Sequence, residues 1–380
     1  VGAEKPSRQH GDHRRIARRA DRREHARARR GGKDHAGREA ANRADRRRCV
    51  SIAERQAVLH TRVQYATASA GHIREPVSPH DLHARRLADF HVSLRISLAM
   101  LSYRHGFHAG NHADVLKHAV VVQLLRYLNK KDKSYWYIDT HAGAGVYSLF
   151  DGYAAKTGEF STGIEKIWDA TDLPEALSDY VDEVRALNSD GELRYYPGSP
   201  YLAWRLMREQ DRMRLFELHS TEIDVLRHNF RDAGRRAMIY AGDGFEGIKA
   251  LLPPPPRRAL VLVDPSYEDK RDYAKTIACV EESLKRFATG CYAIWYPQVS
   301  RPESQKFPDH LKQLQPNNWL HLSLTVSRPP SDGFGLFGSG MFILNPPYTL
   351  VDTMKETLPY LVEVLGQDGG AKFAIEHRAN

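Results

Sequence analysis

Cysteine is nearly absent from this chain. The three present, Cys49, Cys279 and Cys291, are too few and too scattered for a disulfide framework or a cysteine-built zinc site, and they fit a reducing compartment. No run reaches the roughly 18 apolar residues of a membrane-spanning helix. Neither Val1 nor Met100 opens a charged-then-apolar secretory signal. These absences lead us to expect a soluble, cytoplasmic protein with no membrane partner. Aromatic residues are missing from residues 1–48, which hold many arginines, only two lysines and no Phe, Trp or Tyr. Such a segment buries too little apolar surface to offset its ordering entropy, so residues 1–99 are expected to be disordered. Acids such as Glu4, Asp12, Asp21 and Glu24 argue against a transit peptide. A basic arm that grips RNA is one remaining reading. The favoured one is translated upstream DNA, since the chain opens with Val1 and Met100 begins the first protein-like pattern.

Positive charge is scarce where it would be most informative. The net charge of +9 divides into +12 for residues 1–99 and −3 for residues 100–380, which carry 33 Lys and Arg against 36 Asp and Glu. Any positive surface on the body must therefore be local, with Arg104, Lys117, Lys285 and Arg286 as candidates.

From Met100 onward, strand-like runs alternate with helical stretches, the pattern of an α/β domain over 100–380. Strands are expected at 134–139, 213–218, 237–241, 259–264, 291–296, 319–326 and 341–345, giving a seven-stranded, mostly parallel sheet. Several end in a polar residue and a turn, and ligands sit at the carboxyl ends of such strands. A dinucleotide fold places its ribose-binding acid about 20 residues after the glycine turn, yet 72 residues separate Gly145 from Glu217. A helical insertion at about 150–210 accounts for the excess. Leu173, Leu177, Tyr180, Val181, Val184 and Leu187 supply its period.

Four strand ends carry the chemistry. The run YIDTHAGAG, 137–145, is a strand, an acid and a glycine turn that includes Gly143 and lets the backbone approach a ligand. Glu217 can accept both hydroxyl hydrogens of a ribose, and Asp243-Gly244 can meet an adenine amine. The fourth, ALVLVDPSYE at 259–268, points to methylation of an aromatic amine. Such an amine attacks a methyl sulfonium only when acceptors draw its hydrogens out of the ring plane. The Asp264 carboxylate and the Pro265 carbonyl are the acceptors, and Tyr267 offers a stacking face. Alignment of nitrogen and methyl supplies most of the remaining acceleration. A second motif, Asn345-Pro346-Pro347-Tyr348, is read as a structural turn because it follows the last strand. His105, His108, His112 and His118 lack an H-E-x-x-H pattern, and no metal is expected.

Together MLSYRHGFHAGNHADVLKH, YIDTHAGAG, RYYPGSP, FELH, the DGF turn, VDPSYE, KRFATGCYAIWYP and ILNPPY resemble the bacterial 23S ribosomal RNA adenine-N6 methyltransferase J family, over residues 100–380. Its members are also described as proteins involved in using external DNA as a nutrient. The resemblance implies a Rossmann-like class I fold with a helical insertion, S-adenosylmethionine as cofactor, and 23S rRNA as partner before the ribosome is fully assembled. It implies cofactor contacts from His118, His141, Ser199, Glu217, Asp243, Gly244 and Asp264, and a substrate contact from Tyr103. The usual D-P-P-Y reads D-P-S-Y here, so Ser266 loosens a turn that proline would stiffen. A monomer is expected. The alternatives are a DNA adenine methyltransferase, a non-catalytic nucleic-acid-binding factor on the same fold and, more weakly, a glutamine methyltransferase using Asn345.

Overall fold

The computed structural model describes residues 105–150, 154–314 and 316–379. The expectations for residues 1–99, Tyr103 and Arg104 lie outside the described residues. The strands, in chain order, are β1 (Trp136–Asp139), β2 (Val146–Ser148), β3 (Tyr195–Pro197), β4 (Arg212–Glu217), β5 (Ala237–Ala241), β6 (Ala259–Val263), β7 (Cys291–Gln298), β8 (Trp319–Thr325), β9 (Gly338–Leu344) and β10 (Lys372–Arg378). The helices are α1 (His112–Asn129), α2 (Ala154–Thr157), α3 (Ile164–Trp168), α4 (Glu175–Leu187), α5 (Ser199–Leu206), α6 (Ser220–Asn229), α7 (Gly244–Gly247), α8 (Arg271–Arg286), α9 (Pro302–Gln313) and α10 (Leu350–Leu365).

Eight strands form one sheet in the order β10-β8-β9-β7-β6-β1-β4-β5, the Rossmann-like arrangement of helices around a twisted sheet. β6 lies at its centre, and its five residues are all buried. Such a run is what a strand covered on both faces requires. From β7 to β5 every pairing is parallel, which brings the carboxyl ends of β1, β4, β5 and β6 to one edge. All seven expected strands are present. The count needs correction, because β10 adds an eighth strand; the sheet is mixed, with the β7–β9, β9–β8 and β8–β10 pairings antiparallel. KFAIEHR escaped notice because most of its residues are exposed, so its side chains show no hydrophobic period.

α1 starts where Asn111 Oδ1 accepts from the amides of Ala113 and Asp114, each at 3.0 Å. This side-chain cap satisfies helix N–H groups that lack an intrahelical partner. The helix then runs along β7 and β9 with most of its residues buried. Between β2 and β3, which pair as a small antiparallel ribbon, lie α2, α3 and α4. The apolar stripe of α4, Leu177, Tyr180, Val181, Val184 and Leu187, is buried as its period requires, and α4 packs on α1.

The N-P-P-Y turn lies at the edge opposite Asp264. Asn345 follows β9, which is antiparallel to β7 and ends beside Tyr292. It adopts a left-handed conformation (φ 52°) that asparagine tolerates better than most residues. Its Nδ2 donates to the carbonyls of Ala288 at 2.8 Å and Gly290 at 2.7 Å. Asn345→Ala is therefore expected to lower the free energy of urea unfolding by about 1–3 kcal/mol while leaving methyl transfer per folded molecule unchanged. Loss of transfer at full stability would contradict a structural role.

Candidate functional site

The carboxyl edge of the parallel strands encloses a cavity of about 420 Å³, a volume suited to a small cofactor. It brings together residues far apart in sequence. His118, His141, Gly143, Ser199, Glu217, Asp243, Gly244, Asp264 and Pro265 all line it, with Lys117, Thr140, Tyr147 and Ser266.

The floor is built on β1. Asp139 is fully buried, accepting from Tyr137 Oη and Ser199 Oγ, each at 2.7 Å, and from the His141 amide at 3.2 Å. Burial raises its pKa against the lowering effect of those bonds. Ser199 thus donates into the floor while its oxygen remains an acceptor. Gly143 has a φ of 60°, and a Cβ there would collide with the Tyr147 hydroxyl. Glu217, at the end of β4, accepts from the Gly143 amide at 2.8 Å and the His219 amide at 2.6 Å, one on each carboxylate oxygen. Each oxygen keeps lone-pair capacity for one hydroxyl of a diol. Asp243 caps α7 by accepting from the Phe245 amide at 2.8 Å. A Cβ on Gly244 would meet the backbone of Thr140, whereas one on Gly242 would meet nothing within 4 Å. The wall at Gly242 is therefore open to a flat ligand.

Asp264 sits at the other end of the cavity, its side chain 10% exposed. Its Oδ2 lies 2.6 Å from Lys117 Nζ, which also pairs with Asp114 Oδ1 at 2.8 Å. Lys117 is 3% exposed. Burial works against its charge, but the two carboxylates outweigh it and raise its pKa. Asp114 also accepts from the Gly110 amide at 2.9 Å and contacts His105 Nε2 at 3.1 Å. Despite burial, His105 and Lys117 hold its carboxyl well below the usual range. Asp264 is thus fixed through one oxygen, and the other remains to accept a hydrogen from a ligand.

Two sequence expectations fail on geometry. Tyr267 does not line the cavity. It has a φ of 54° and is 2% exposed, its hydroxyl donates to the Trp295 carbonyl at 2.8 Å, and its ring packs on Tyr273 and Phe307. The stacking face expected of it is turned into the core. Lys117 is not a surface cation, and Lys285 and Arg286 are paired with Glu281 and Glu282. The missed site residues are Lys117 and Asp114. Their spacing with His118 on a helix, at i, i+3 and i+4, was the available signal, since it puts all three on one face.

Residues 132–376 match the family described as ribosomal RNA large subunit methyltransferase D, RlmJ. The chain belongs to this family. Its relatives include the ribosomal RNA large subunit methyltransferase J of Haemophilus influenzae, 48% identical over 73% of this chain and 98% of the relative. That of Escherichia coli is 47% identical over 69% of this chain and 93% of the relative. A crystal structure of a Legionella pneumophila protein aligns with a TM-score of 0.66 and 35% identity, covering 72% of this chain and 99% of that one.

The RlmJ-family cavity has neutral imidazole walls. Burial pushes His118 and His141 down to about 3, and His112, which does not line the cavity, down to about 4. A histidine depressed in this way stays neutral in the fold while the unfolded chain binds a proton below pH ~6.5. Stability should therefore be full above that pH and fall as the pH drops toward 4, by at most about 1.4 kcal/mol per pH unit for each group. Urea unfolding from pH 7 to pH 4 reads this slope, and His118→Gln should make it shallower. An unchanged slope in the variant would contradict the assignment.

Proposed function

We propose that this chain transfers a methyl group from S-adenosylmethionine to the N6 amine of an adenine in 23S rRNA. The observation that carries the proposal is the fixing of Asp264 by buried Lys117 in the same cavity as the Glu217 and Asp243 strand ends. The donor set suits the cofactor. Glu217 can take the two ribose hydroxyls, Asp243 and the open wall at Gly242 the adenine, and Ser199 and the neutral His118 and His141 the remainder. When bound, S-adenosylmethionine supplies a methyl on a sulfonium, already activated toward an in-line nucleophile.

The chain's own residues prepare that nucleophile. The free Asp264 oxygen and the Pro265 carbonyl accept the two amine hydrogens, drawing the nitrogen lone pair out of conjugation with the ring. Lys117 holds the carboxylate in position through a charge-assisted hydrogen bond. Such an adenine must leave its stack to reach Asp264, which favours RNA not yet packed into an assembled ribosome.

The test is transfer of labelled methyl to deproteinised 23S rRNA, followed by nucleoside analysis. Label should appear as N6-methyladenosine, and Asp264→Ala should lower the rate by roughly 10²–10⁴-fold. Label on DNA or protein only, or transfer insensitive to Asp264→Ala, would refute the proposal. Ser266→Pro should keep or raise turnover, because it stiffens the turn after Asp264. A strong loss would give the serine a role of its own.

A further inference from the structure

The loops that lead into β1, β4, β5 and β6 span residues 130–135, 207–211, 230–236 and 253–258. Parallel register places them together at the sheet edge opposite Asp264. With Arg212, the first residue of β4, they contain ten Lys and Arg and four Asp and Glu, a balance of +6. Residues 100–380 as a whole balance at −3, so the rest of that stretch, outside these segments, balances at −9. Within residues 100–380, a body that is otherwise acidic has gathered positive charge in these segments.

The patch is continuous. Arg258 donates to the carbonyls of Leu128 and Lys133, Arg208 to those of Lys131 and Lys133, and Arg236 to that of Arg208. Carbonyl acceptors hold a guanidinium without cancelling its charge. Arg208 also pairs with buried Asp211. Lys131, Lys133, Arg235 and Arg257 are exposed, and among the described residues none of them has a carboxylate partner. Tyr348, from the N-P-P-Y turn that the cavity does not use, is 82% exposed at the same edge. It meets Tyr127 edge-on at 6.2 Å, and Lys130 Nζ lies 5.6 Å from the Tyr127 ring centre.

We propose that this edge is a second RNA-binding surface, gripping the phosphate backbone of the ribosomal RNA away from the target adenine while Tyr348 stacks an unpaired base. The inference rests on the RNA reading of the active site. Clustered cations beside an exposed aromatic ring are the combination that binds nucleic acid without reading sequence. A lipid surface would call for an apolar helix face beside the cations. β4 has six residues, which at about 3.3 Å each puts the two edges roughly 20 Å apart. Only an RNA that extends well beyond the flipped nucleotide can reach both.

The test uses the full chain and the triple variant Lys131→Glu, Lys133→Glu, Arg257→Glu, with an unchanged thermal midpoint as the control for folding. Binding is read by fluorescence anisotropy on a 23S rRNA fragment of about 100 nucleotides or more and on a short hairpin carrying the target adenosine. Methyl transfer is measured on both. For the long RNA, Kd and KM should rise roughly tenfold or more with kcat unchanged. The slope of log Kd against log salt should become shallower by about 2–3. The hairpin should bind both proteins equally. Unchanged affinity and salt slope on the long RNA would overturn the proposal. So would loss of binding to phosphatidylglycerol vesicles with RNA affinity intact, which would assign the patch to a membrane. Because anisotropy needs no turnover, a wild type that binds RNA at this edge but transfers no methyl would overturn the active-site reading alone.

Discussion

The buried ammonium of Lys117 joins the two halves of the site. It bridges Asp114 on its own helix to Asp264 at the end of the central strand, with both contacts under 3 Å. Two carboxylates and one lysine that are almost wholly buried tolerate little displacement, because removing one partner leaves an uncompensated charge at a cost of roughly 3–5 kcal/mol. The Asn111 cap and the Gly110 amide fix the start of α1, and α1 in turn fixes the lysine. The position of the acceptor oxygen is thus decided by a helix nearly 150 residues earlier in the chain.

The carboxyl edge combines two kinds of surface. Its Glu217 end is made from backbone amides, carboxylates and neutral imidazoles, which suit a hydroxylated, adenine-bearing ligand. Its Asp264 end holds a fixed anion against a fixed cation. The opposite edge carries almost no such arrangement, but it concentrates exposed cations on loops whose arginines are tied to main-chain carbonyls. Chemistry and long-range attraction are thereby separated by the length of the parallel strands. On the proposed reading, an acidic body thereby attracts a polyanionic substrate without placing excess positive charge around the sulfonium.

Much of this arrangement was legible in the sequence. YIDTHAGAG, RLFELH, AGDGF and ALVLVDPSYE each end a strand at a polar residue, and parallel pairing gathers those ends at one edge. Asn345 reads as a turn from its position after the last strand expected from the sequence, and in the fold it closes the end of β9. β10 was not legible because it is a mostly exposed edge strand without a buried stripe. Tyr267 misled because a motif names a residue without giving its φ, and a left-handed turn sends the ring into the core. Lys117 misled in the opposite way. Charge counting treats every lysine as solvated, and only the fold shows two carboxylates closing over it.

The most direct measurement of this account is a double-mutant cycle on Lys117→Met and Asp264→Asn, read by single-turnover methyl transfer at saturating cofactor and RNA. If Lys117 acts by fixing Asp264, each single variant should lose at least about 10²-fold, and the double variant should be no slower than Asp264→Asn alone. Losses that multiply would show that the two residues act independently and would contradict the account.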